Sequence, residues 1–170
     1  PQLPLHPNCR CRLMKVDSPE TVVKPQKALS GTGNLPSQRY ISEDAVFTTD
    51  KQGRVRKAID ELKNHPVKRN RRNQKIAAKM GKSGDEGGHL IPARYGGSGD
   101  LINLLPQSRT ANRSLIKKIE NEMGKALKAG KKVEYTVIPH YPDSKTLRPD
   151  KFTIRYKIDG VENAKIISHD

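Results

Sequence analysis

Residues 84–122 read GDEGGHLIPARYGGSGDLINLLPQSRTANRSLIKKIENE, and the fold of the chain turns on how this stretch is read. It holds one histidine, His89, behind the paired glycines Gly87 and Gly88. Asn103 and Asn112 follow, nine residues apart with Gln107 between them, and then Glu120 on a predicted helix. Each residue alone has a plain explanation: a structural histidine, a turn asparagine, a helix N-cap, a surface helix charge. Four polar residue types at fixed offsets among apolar and glycine-rich segments are not what a plain core would place there. The glycine pair is expected to let the backbone bend sharply before His89.

Outward from this stretch, the C-terminal side is strongly patterned. Leu115, Ile116, Ile119, Met123, Ala126 and Leu127 recur near helical spacing, which predicts a helix over 114–130 with Gly130 as its stop. Val133, Tyr135 and Val137 then alternate with polar neighbours, as do Phe152, Ile154, Tyr156 and Ile158. These are half-buried strands, and Asp159-Gly160 supplies hairpin turn chemistry before a third strand over 161–167. On the N-terminal side, Tyr40 to Val55 reads as a hairpin turning at Asp50–Gly53. The pattern predicts an antiparallel meander packed on a helix, an α+β domain spanning 37–170. Residues 1–36, rich in proline, read as a leader, and because Pro1 is no initiator the chain reads as a fragment of something longer.

Lys and Arg number 33 against 18 Asp and Glu, a formal charge of +15, so the natural partner is a polyanion, nucleic acid first. Hydrophobic residues make up only 33% and no tryptophan is present, so the core must be modest. No apolar run approaches the roughly 18 residues of a membrane span. The basic run Arg69, Arg71, Arg72, Lys75, Lys79 and Lys82 is expected to form a helix from about Asn70, facing phosphates. In the leader, His6, Cys9 and Cys11 could supply three zinc ligands, but no fourth is evident and the C-x-C spacing is tight.

Phosphodiester hydrolysis needs a base for the attacking water, neutralisation of phosphate charge, and stabilisation of the leaving oxygen. His89 suits the first task. Asn103 and Asn112 are neutral oxygen donors suited to a hard ion such as Mg²⁺. Glu120 lies eight residues beyond Asn112, roughly 12 Å along a helix. It is therefore expected to hold a water near the ion rather than share the ion with Asn112.

The series Gly88-His89, Asn103-Leu104-Leu105-Pro106-Gln107, Asn112 and Glu120 resembles the DNA/RNA non-specific endonucleases, the ββα-metal or His-Me finger nucleases. The likeness is strongest to the branch found as C-terminal toxin domains of secreted bacterial proteins. It runs from about Tyr40 to Ile158 and includes an opening strand pair of the form TD-x-x-GR-V. It implies a ββα-metal fold, with an antiparallel sheet packed on a catalytic helix. It implies His89 as base, Asn112 as metal ligand, and supporting roles for Asn103, Gln107 and Glu120. Mg²⁺ or Mn²⁺ would be the cofactor, and DNA or RNA the substrate. An acidic immunity protein would be a partner, with delivery into target bacteria and action in their cytoplasm. Many relatives carry D-R-G-H, whose arginine binds phosphate; here Glu86-Gly87-Gly88-His89 leaves that arginine unassigned. Arg94, Arg109, Arg113 and Arg148 are the candidates, Arg94 first for its closeness to His89. Two other readings remain open: a non-catalytic nucleic-acid-binding module, and a phage or secretion structural fragment. The second rests on HPNCRC (residues 6–11), which resembles the end of Mu F-type head-morphogenesis domains.

Overall fold

The computed structural model describes residues 36–169 together with the backbone of Cys11–Arg12. Of residues 1–35, only the backbone of that two-residue strand, β1, is described, so the zinc reading of the His6, Cys9 and Cys11 side chains lies outside the described residues.

Seven antiparallel strands form the main sheet in the order β1-β2-β3-β4-β7-β8-β9. They are β1 (Cys11–Arg12), β2 (Arg39–Ser42), β3 (Ala45–Thr49), β4 (Val55–Glu61), β7 (Val133–His140), β8 (Lys151–Ile158) and β9 (Val161–Ser168). The order follows the chain with one interruption. Between β4 and β7 the chain leaves the sheet and builds α1 (Arg71–Ala78), a separate two-stranded sheet of β5 (Glu86–His89) and β6 (Leu104–Gln107), and α2 (Ile116–Lys128). The neck of this insertion is closed where the Leu62 N–H donates to the Val133 carbonyl at 2.9 Å. All the residues singled out between His89 and Glu120 lie inside it.

The expected strands of the sheet and the helix are present, and the class is α+β. Val133, Tyr135 and Val137 of β7 and Phe152, Ile154 and Tyr156 of β8 point to one face, each at most 2% exposed. Against that face α2 buries Ile116, Ile119, Met123 and Ala126, at the helical spacing read from the sequence. Full burial of a side chain such as Met123 contributes roughly 1.5–3 kcal/mol, so this stripe is what fastens α2. Gly130 stops the helix at φ 74°, with the Lys131 N–H reaching back to the Ala126 carbonyl at 3.0 Å. Asp159 and Gly160 both take positive φ (49° and 85°), as a tight β8–β9 turn requires.

Two local expectations change. The helix begins earlier than 114, through a π-helical turn over Ala111–Leu115 that carries Asn112. Such turns are commonly found at functional positions. Gly87 and Gly88 do not mark a bend: they are regular β5 residues paired with Pro106 and Leu105. Their missing Cβ atoms serve close approach instead. A Cβ at Gly87 would strike the Gln74 carbonyl of α1, and one at Gly88 would strike the Gln107 side chain. The pair lets a helix and a buried amide close on the hairpin.

Gly87→Ala should therefore push α1 off β5 and destabilise the domain by about 1–3 kcal/mol, the usual range for a methyl forced into packed contact. A urea midpoint equal to wild type would show that the α1 contact yields freely.

Candidate active site

His89 ends β5 beside Leu104 of β6. The ring is largely buried, and its Nε2 has no hydrogen-bond partner among the described residues. Burial, joined by the positive charge of Arg69, pulls its pKa down to about 4. The imidazole is thus neutral at physiological pH and able to accept a proton.

Asn112 is oriented by Glu86. Its Nδ2 donates to Glu86 Oε2 at 2.8 Å. A carboxylate only accepts, so the amide must present its NH₂ to Glu86 and keep Oδ1 for another donor or a cation. Glu86 in turn is gripped by Arg113, whose Nε donates to Oε2 at 3.1 Å and whose Nη2 pairs with Oε1; Arg109 Nε stands 3.7 Å from Oε1. The Arg113 hydrogen bond foremost, with Asn112 and Arg109 adding to it, holds the Glu86 carboxyl below its usual range against the opposing effect of burial. Sequence reasoning passes over Glu86 as a site residue because it reads only as the departure from D-R-G-H. Its place three residues before His89, at the head of the same strand, is the available signal.

Glu120 lies on α2, eight residues beyond Asn112. Burial raises its pKa, while Arg94, Arg69 and Lys117 act to lower it. The Arg69 charge therefore acts on both His89 and Glu120 although Arg69 lies outside the hairpin. Arg94 is exposed, donates to Asn121 Oδ1 at 3.3 Å and lies 5.7 Å above the Tyr95 ring. Arg71 and Arg72 line an open groove on α1 with Lys75, Ile76 and Lys79.

Three expected site residues are placed elsewhere. Asn103 is 0% exposed, and its amide is consumed by backbone: Oδ1 accepts from Ile91 N–H at 2.8 Å, and Nδ2 donates to the Ile91 and Ser98 carbonyls at 2.9 and 2.8 Å. It ties together the loop between β5 and β6 and can serve neither as metal ligand nor as a catalytic group touching substrate. Gln107 is 1% exposed, packed under Gly88, so it cannot contact nucleic acid. Arg148 is also buried, donating from Nε to Asp85 Oδ2 at 2.6 Å and from Nη2 to Oδ1 at 3.2 Å. A guanidinium committed in this way is no phosphate clamp.

Among the described residues, no three His, Cys, Asp or Glu side chains gather as a metal cage. A hard ion bound with few protein ligands, its shell completed by water and phosphate, fits the remaining donors better. Asn112 Oδ1, oriented by Glu86, is the donor that fits.

Residues 36–160 match the family model described as DNA/RNA non-specific endonuclease. The type VII secretion system protein EssD of Staphylococcus aureus, in strains USA300 and NCTC 8325, is 31% identical over 129 residues, 72% of this chain and 21% of EssD. The chain thus spans about a fifth of the length of these curated relatives. NucA from Streptococcus agalactiae with a magnesium ion bound superposes with a TM-score of 0.61 at 20% identity, over 76% of this chain and 74% of NucA. Its form with no metal bound gives 0.60 at 22%, over 85% and 76%. At these identities the likeness carries the fold: hairpin β5–β6 followed by α2 is the ββα unit.

The depressed histidine has a consequence for stability. An unfolded histidine titrates near 6.5, whereas the folded values of His89 and His169 are both about 4. Between those values each of the two histidines binds its proton more in the unfolded chain than in the folded one. Their contribution to stability therefore rises with pH from about 4 to 6.5, against the opposing contribution of Asp60, whose carboxyl burial pushes up to about 6. His89→Leu should flatten part of that rise in urea midpoints measured across the interval; an unaltered slope would mean His89 titrates normally.

Proposed function

The chain belongs to the DNA/RNA non-specific endonuclease family, and from that premise we propose that it cleaves DNA, and RNA as well, with Mg²⁺ or Mn²⁺ and little regard to sequence. The observation that carries this reading is the pairing of a neutral His89 with an Asn112 amide whose oxygen Glu86 leaves free. His89 takes a proton from the attacking water at its unprotonated ring nitrogen. The low solvent access around the ring strengthens that hydrogen bond once substrate excludes bulk water. Arg69 and Arg94, whose charges reach Glu120, present guanidinium groups to the phosphate in place of the missing D-R-G-H arginine. Glu120 orients water beside them. Asn112 would hold the ion through Oδ1. The ion, when bound, supplies Lewis-acid neutralisation of charge on the phosphate and the leaving oxygen.

The exposed cations of α1 position the polyanion without touching the reacting phosphorus. The likeness to part of a type VII secretion system protein supports a secreted effector role, as an antibacterial toxin acting in the target cytoplasm. A chain of charge +15 kept harmless before delivery calls for an acidic immunity protein as partner.

Purified protein should nick supercoiled plasmid and degrade structured RNA with Mg²⁺ and do neither with EDTA. His89→Ala should keep substrate affinity and lose at least about a hundredfold in rate, the scale of general-base catalysis. Equal turnover by that variant removes His89 from the reaction, and binding without cleavage by wild type favours a non-catalytic module. Reversing Arg71, Arg72 and Lys75 to Glu should lower the salt slope of duplex binding by about 0.9 for each phosphate no longer neutralised. Saturating DNA should then restore most of the rate. An unchanged slope would leave α1 a merely solvated surface.

A further inference from the structure

Far along the chain from the site, a buried cluster beside β8 and β9 reaches both flanks of the hairpin, at Asp85 and Ser108. Arg148 lies just before β8, and His169 follows β9; they are 6% and 4% exposed. The Arg148 guanidinium takes both oxygens of Asp85 and donates from Nη1 to the His169 carbonyl at 3.1 Å. The Lys82 N–H also donates to Asp85 Oδ2, at 2.9 Å. The His169 ring stacks on Phe152 at 5.1 Å, and its Nδ1 accepts the Ser108 N–H at 3.1 Å. Its own backbone N–H is fixed to the Asp150 carbonyl at 3.0 Å.

Each arm of this cluster stops one step short of Asn112. Asp85 is the residue before Glu86, whose carboxylate holds the Asn112 side-chain amide. Ser108 begins the turn whose carbonyl accepts the Asn112 backbone N–H at 2.9 Å. One arm thus sets the side chain and the other sets the backbone. The histidine tautomer shows what is being held. A ring whose Nδ1 accepts a backbone N–H carries its proton on Nε2, and Nε2 here is buried with no partner among the described residues. An unpaired buried N–H is costly, and it is tolerated where the acceptor on the other nitrogen has a job.

We propose that Asp85, Arg148 and His169 form a clasp that positions Asn112, seating the strand end that carries Glu86 and the helix start that carries Asn112 on the far end of the main sheet. This rests on the reading of Asn112 as the residue that holds the ion. None of the three touches substrate; they are positioning residues.

His169→Leu removes the acceptor, whereas His169→Asn keeps one, its Oδ1, the same number of bonds from the backbone as Nδ1. Val133→Ala, a cavity at the end of β7 paired with Ile158 and remote from Phe152, serves as a control for general loss of stability. All variants are compared well below their melting temperatures. In metal-free protein, amide hydrogen exchange over 108–112 should quicken in His169→Leu, recover in His169→Asn, and stay at the wild-type rate in Val133→Ala. With Mg²⁺, calorimetry should show His169→Leu binding about 10–100-fold more weakly, the range for lost outer-shell support. On plasmid, kcat should fall while KM holds. The clasp is overturned if His169→Leu melts earlier yet keeps wild-type exchange over 108–112. It is equally overturned if His169→Asn recovers nothing, since ring packing would then be the whole effect. Because exchange is read without metal, it still tests the clasp if wild type binds no Mg²⁺, a result that would sink the metal reading alone.

Discussion

A two-stranded hairpin with four residues on each side cannot hold itself together in water, and β5–β6 is such a hairpin. Everything that makes it usable comes from outside it. The α1 backbone closes on Gly87, and the Gln107 side chain fills the space over Gly88. Arg148 holds the strand's approach through Asp85, and Asn112 and Arg113 hold its first residue through Glu86. His89, at the far end of the same short strand, inherits a fixed position from all of them. The topology serves this need, because the insertion leaves the sheet at β4 and returns at β7, the two neighbouring strands. Its ends are pinned by one ladder, and its middle is free to gather supports from both sides.

Charge follows the same logic. In a chain of net charge +15, the few carboxylates near the site each organise cations. Glu86 draws in Arg109 and Arg113 and in doing so decides which end of the Asn112 amide is available. Asp85 is paired inside the protein with a bidentate guanidinium; such a pair adds little net stability but fixes geometry, and breaking it on one side strands the other charge. Exposed ion pairs such as Lys132 with Glu61 and Glu134 lie on the solvent side of the sheet and contribute little.

The sheet and α2 are legible in the sequence because their signals are local. Alternation in β7 and β8, the Asp159-Gly160 turn and the stop at Gly130 each depend on a few neighbouring residues. His89, Asn112 and Glu120 are legible as a spaced pattern. What escapes depends on tertiary contact. The β5–β6 hairpin has no alternation, since its glycines are set by α1 and Gln107 rather than by a turn. Asn103 and Asn112 are the same residue type in one stretch; only the packing reveals that one is sealed by backbone carbonyls and the other is aimed by a carboxylate. Arg148 looks like any cation of a basic protein until its partner, 63 residues earlier, comes into place.

Arg69 is the instructive case, since sequence places it in a basic run and the fold gives it a second task. Its positive charge opposes protonation of His89 and favours ionised Glu120, so one guanidinium biases the first toward its neutral form and the second toward its charged form. Burial adds to that bias at His89 and opposes it at Glu120. A base with a pKa near 4 is reliably neutral but weak, because proton-transfer efficiency falls as the base's pKa drops below the working pH. On the nuclease reading, an approaching phosphate offsets the Arg69 charge and so raises the basicity of His89 at the moment substrate arrives. The same offset removes one of the charges that keep Glu120 ionised, leaving Arg94 and Lys117 to hold it. On that reading the arrangement couples the strength of the base to the arrival of phosphate, through an arginine that lies outside the hairpin.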